Sequence, residues 1–118
     1  MSDEIVVLAR GNLAGEQAAL AVRVALALPL AGLSVRLVLV DAASTLGLAS
    51  APDLGPRGGG VDRELDALLR EEEAPVLVES ESLEALGLAG RPLRPGVEVV
   101  PRRRLADICA AGRSCLVI

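Results

Sequence analysis

The stretch Pro75–Leu88, PVLVESESLEALGL, decides the fold. It reads as a short buried strand, an acidic turn at Glu79, and a compact helix closed by Gly87. In α/β proteins, ligands and chemistry collect at the carboxyl ends of the strands. The residue at position 79 therefore bears directly on what this chain can do.

Working outward, the same alternation of strand and helix runs along the whole chain. Toward the N-terminus, Ile5–Ala9 is a continuous apolar run of strand type, followed by the polar break Arg10-Gly11-Asn12. Ala14–Ala31 reads as a helix that Pro29 bends or ends, with Gly32 as its C′ residue. That helix is apolar nearly all round, so it is expected to be covered on more than one side, the second cover being another subunit. Ser34–Val40 is the next strand and ends at Asp41. The Gly- and Pro-rich segment 42–60 is a long loop with one helical turn near Ser44–Leu48, a length typical of functional or mobile connections. Asp62–Glu73 is the clearest helix, its apolar stripe made by Val61, Leu65, Leu68 and Leu69. Asp66 and Arg70 are spaced as an i,i+4 ion pair on it.

Beyond Leu88 come a Pro-rich loop, strand Val97–Val100, helix Arg102–Ala111 and a terminal strand Ser114–Ile118. Apolar strands separated by helices predict one α/β domain over residues 1–118: three layers, α/β/α, around a five-stranded, mainly parallel sheet. With 118 residues the chain can bury roughly two-thirds of its unfolded surface and needs no metal or disulfide to fold.

The missing residue types narrow the chemistry. Apolar residues make up 52% of the chain, yet it has no Phe, Tyr or Trp, so Leu, Val, Ile and Ala must build the core. Without His there is no Ser-His-Asp triad, no Cys-His pair and no imidazole ligand for a metal. All 12 basic residues are Arg, which excludes a Schiff-base lysine. A net charge of −4 and the absence of rings for stacking argue against nucleic acid as a partner. The start, MSDEIVVLAR, is acidic and is no secretory signal. The apolar run Ala18–Val40 contains Arg23 and Arg36 and is broken by Pro29 and Gly32, so it is not a membrane span. A cytoplasmic location, no cofactor and no bound metal are expected.

Sulfur is the one obvious nucleophile. Cys109 falls with Leu105 and Ile108 on the stripe of the last helix expected to be buried, and Cys115 lies among apolar neighbours in the terminal strand. Both are expected to pack as small hydrophobes. Their C-x5-C spacing fits no zinc pattern. The loop Gly55-Pro-Arg-Gly-Gly-Gly60 lacks the Lys and Ser/Thr of a phosphate-binding loop, and Asp62 and Glu64 follow it, so it reads as a flexible connection. Arg102–Arg104 places three cations at a helix N-terminus, against the macrodipole by roughly a few tenths of a kcal/mol each. Either an acidic surface such as Glu71–Glu73 offsets them, or they are a solvated face.

The order of elements, the segment VLVESESLEALGL and the C-terminal GVEVVPRRRLADICAAGRSCLVI resemble the DsrE/DsrF family of small sulfur-relay proteins. In its DsrE and TusD branch, the residue eight positions before the Gly that closes the short helix is a cysteine that accepts persulfide sulfur. That position here is Glu79, and a carboxylate cannot carry a persulfide. The resemblance therefore points to the DsrF/TusC branch, whose subunits are architectural, and implies a non-catalytic role in intracellular sulfur relay. It also implies self-association, as a trimer or hexamer, or assembly with sister DsrE-like subunits. Arg10, Asn12, Asp41, Glu79 and Ser80 are expected to line a shallow cleft at the carboxyl edge of the sheet. Two other readings are a sulfurtransferase with its acceptor at Cys109, and a small-molecule binding module with no sulfur role.

Overall fold

A computed structural model describes residues 3–11, 16–49 and 60–118. Asn12, the first residues of the predicted N-terminal helix and most of the Gly-rich loop at 55–60 lie outside the described residues. The chain runs through β1 (Ile5–Ala9), α1 (Glu16–Leu30), β2 (Val35–Leu39), a 3-10 helix (Asp41–Gly47), α2 (Val61–Arg70), β3 (Val76–Glu79), α3 (Ser80–Ala85), β4 (Val97–Val100), α4 (Arg102–Ala111) and β5 (Ser114–Val117). The five strands form one sheet in the order β4-β3-β2-β1-β5. Every pairing is parallel, so the sheet is wholly rather than mainly parallel.

This order explains the layers. From β1 to β4 each strand is added on the same side of its predecessor, and right-handed crossovers keep α1, α2 and α3 on one face. The last connection turns back across the sheet to pair β5 with β1, which sends α4 to the opposite face. The two cores follow. Val7, Leu37, Leu39, Val76 and Val78 point toward α1, α2 and α3 and meet Val22, Leu65, Leu68 and Leu83. Val6, Val38, Leu77 and Val100, the alternate residues of the same strands, meet Leu105 of α4, with Ile108 and Cys109 at its margin. One face is thickly covered; the other has a single helix.

Helix α1 packs against α2 of the same chain as well as against the sheet. Arg23 Nε donates to Glu64 Oε1 at 3.1 Å across the two helices. Leu20 and Leu30 remain outside, 50% and 75% exposed. Among the described residues, no helix is long and apolar enough to cross a membrane.

Arg94, buried in the loop before β4, ties three segments together. Its backbone N–H donates to the Gly47 carbonyl at 2.9 Å, and its Nε to the Leu46 carbonyl at 2.7 Å. Its guanidinium pairs with Asp62 and lies 3.7 Å from Asp66. Asp66 is thus turned toward Arg94, not toward Arg70 as helical spacing predicts, because a buried cation one loop away is a stronger partner than an exposed one on the same helix. Replacing Arg94 with Ala leaves the buried Leu46 carbonyl without this donor. Arg94→Ala is expected to lower the unfolding free energy by about 2 kcal/mol, measured by urea denaturation followed by circular dichroism.

Candidate functional site

Glu79 ends β3 on the face that α4 covers, and the parallel register places Val100 beside it. Two residues beyond Val100 the chain enters α4, so Arg102, the first residue of that helix, hangs over the Glu79 carboxylate. β3 feeds α3 on one face while its neighbour β4 feeds α4 on the other. Glu79 and Arg102 therefore stand at the point where the connections diverge, the usual place for a ligand crevice in an open parallel sheet.

The Glu79 side chain is not free. Arg102 grips it with two donors, Nε to Oε2 at 3.2 Å and Nη2 to Oε1 at 3.1 Å. Ser82, one turn into α3, donates from Oγ to Oε1 at 2.6 Å. Ser82 Oγ in turn accepts the Asp41 backbone N–H at 2.8 Å. That amide is presented by a left-handed backbone at Asp41 (φ 51°), a conformation Asp adopts more readily than most residues. The ends of β2 and β3 and the start of α4 are thereby joined through one carboxylate. The Arg102 hydrogen bond, opposed by burial and aided by Ser82, holds the Glu79 carboxyl below its ordinary value of 4.5. An ionised carboxylate with its lone pairs engaged is a poor general base and has no proton to give.

Glu81 does related work at the same junction. Both its carboxylate oxygens accept the Arg102 backbone N–H, at 3.0 and 3.1 Å, and Ser80 Oγ donates to it at 2.7 Å. Helix α4 begins after Pro101 with no side-chain cap of its own. Glu81 therefore serves as a cap supplied from another helix and brings negative charge to the positive end of the dipole. The acidic partners of Arg102 are Glu79 and Glu81. Glu72 and Glu73 line a separate cleft with Glu4, Ser34 and Pro75 at the opposite, amino-terminal end of the strands.

A cleft of about 370 Å³ opens between α4 and the strand ends, lined by Leu8, Arg10, Val40, Asp41, Glu79, Arg102, Leu105, Ala106 and Cys109. Of the residues the sequence nominated, Arg10, Asp41, Glu79 and Cys109 meet here. Ser80 does not; as the residue after Glu79 it faces the other way, lining a second cleft with Leu83, Leu93 and Val99. Sequence reasoning missed Arg102, Leu105 and Ala106. The available signal was the placement of three cations at a helix start that lacks a cap of its own.

The two cysteines differ from expectation in opposite degrees. Cys109 is half-buried at the edge of the smaller core, and burial, then Cys115, push its thiol up to about 11. Cys115 is exposed rather than packed, because β5 is an edge strand whose four residues are all exposed. At neutral pH the Cys109 sulfur keeps its proton and is a weak nucleophile. Among the described residues no cluster of three or more His, Cys, Asp or Glu could hold a metal ion.

Fold and site together define an α/β protein of DsrE-like architecture whose cleft is closed over a carboxylate–guanidinium pair. The YchN protein from E. coli has this fold in its crystal structure: the two chains match over 100% of each, with a TM-score of 0.80 and 25% sequence identity. No protein-family model matches the chain, and no curated protein matches it.

Two outcomes are expected at this site. Because the Glu79 carboxyl is held below its ordinary value, the pair stabilises the fold above the unfolded-state value and is lost as pH falls through the folded-state value. Glu79→Gln should cost about 1 kcal/mol at pH 7, modest because water competes at the exposed Arg102, and the gap from wild type should close in acid, read from urea curves across pH. Peptide-resolved alkylation by iodoacetamide should label Cys109 slowly at neutral pH and progressively faster as pH rises toward about 11.

Proposed function

We propose that this chain is a non-catalytic accessory subunit of an intracellular sulfur relay, of the DsrF/TusC type. One observation carries the reading: Glu79, at the position where the acceptor branch of the family has its cysteine, is a buried carboxylate bound by Arg102 and Ser82. Such a residue holds the cleft together and offers no sulfur-accepting atom. The likeness of fold to YchN supports the assignment to this architecture. An architectural subunit acts through its surface, as a trimer or hexamer of itself or beside sister subunits that bear the cysteine. Leu20, Leu30, Leu116 and Val117, all exposed, supply apolar area for such contacts.

A second reading keeps sulfur transfer within the chain and places the acceptor at Cys109. Its position on the wall of the same cleft favours this, and the retained thiol proton opposes it. Incubation with a cysteine desulfurase and cysteine, followed by intact mass measurement, separates the two. The expected result is no gain of a sulfur atom by the wild-type protein, while Glu79→Cys, with its new thiol beside Arg102, gains one. A wild-type adduct mapped to Cys109 would establish the second reading instead.

A further inference from the structure

The two cysteines flank the joint between α4 and β5. Strand β5 runs parallel to β1 with Cys115 opposite Val6, and strand alternation sends Cys115 to the face on which Val6 meets α4. Cys109 reaches that face from the helix, packing against the cluster that contains Val6 and Leu105. The chain reverses between them at Gly112, which lies so close to β1 that a Cβ there would come within 2.9 Å of Val6 Cγ2. The backbone of the turn is also fixed, since the Arg113 N–H donates to the Glu4 carbonyl at 2.9 Å and the Gly112 N–H to the Ile108 carbonyl at 3.1 Å. The end of the helix is therefore pressed against β1, the strand beside β5, and Cys115 helps push the Cys109 thiol up. Cys115 is open to solvent and Cys109 stands behind it on the cleft wall.

We propose that Cys109 and Cys115 form a reversible dithiol–disulfide pair that exchanges with low-molecular-weight disulfides. The exposed Cys115, as its thiolate, attacks one sulfur of R–S–S–R, forming Cys115–S–S–R and expelling R–S⁻. Cys109 then loses its proton to solvent and attacks Cys115 Sγ, forming the Cys109–Cys115 bond and expelling the second R–S⁻. The protein thiols are oxidised, the small disulfide is reduced, and the two protons released end on two molecules of R–SH. Helix α4 is already held at its N-terminus by Glu79 and Glu81. The new bond ties down its C-terminal end and withdraws the Cys109 thiol from the cleft. This holds whichever function the cleft serves.

The experiment is equilibration of the full-length protein in glutathione buffers from fully reduced to fully oxidised, followed by acid quench, alkylation under denaturing conditions, intact mass and peptide mapping. The expected end state is a monomer lighter by two hydrogens, with no alkylated cysteine and a Cys109–Cys115 linked peptide, restored by dithiothreitol. Hydrogen exchange in the last turn of α4 should slow severalfold on oxidation. Cys109→Ala should stop at a glutathione adduct on Cys115. If wild type also stops at that adduct, or cross-links to a second copy through Cys115, the pair does not close and the proposal fails.

Discussion

The Glu79–Arg102 pair is the constraint on which this face of the molecule depends. A parallel sheet needs both faces covered, and here the second face has one short helix that inserts Leu105 fully and Ile108 and Cys109 only in part. Three arginines at its start would by themselves weaken it. Glu79 and Glu81 reverse that effect, one by gripping the Arg102 guanidinium and the other by accepting its backbone N–H. The pair is asymmetric. Arg102 has 66% of its side chain in water and can be solvated without its partner, while Glu79, at 6%, cannot. The buried carboxylate is the member whose ionisation depends on the helix staying where it is.

What was legible in the sequence was what is local. Apolar runs between Gly and Pro breaks gave each strand to within a residue or so, and Gly87 closes α3 as expected, with φ 72° and the Leu88 N–H donating to the Leu83 carbonyl at 2.8 Å. The fold class followed because alternating strand and helix permits few architectures. The partners of charged side chains were not legible, because register and crossover decide them. Glu71–Glu73 is the obvious acidic run, yet the end of the sheet on which it falls is the wrong one. Arg94 gave no signal, being one Arg in a loop of prolines and glycines. Cys115 has the neighbours of a core residue, but a strand at the edge exposes what the same sequence would bury one position further in.

The cleft shows how one side chain sets the character of a strand end. A cysteine at the end of β3 would be a reactive group beside a cation. The carboxylate in its place engages the cation instead, and the two become part of the wall. That geometry ties the strand end in place, since β2, β3, α3 and α4 all converge on one side chain.

The strand order has a consequence for assembly in time. β1 through β4 pair with partners close by in the chain, each joined by a single crossover. β5 instead pairs with β1, Ser114 beside Ile5, so its ladder closes a loop that includes nearly the whole protein. Contacts of such long range are costly in chain entropy and form after the local ones. Helix α4 leads into that last strand, and the cleft has no second wall until the helix docks. The β5 ladder is therefore expected to close last, after the shorter-range contact of Arg102 with Glu79 has set the cleft's second wall.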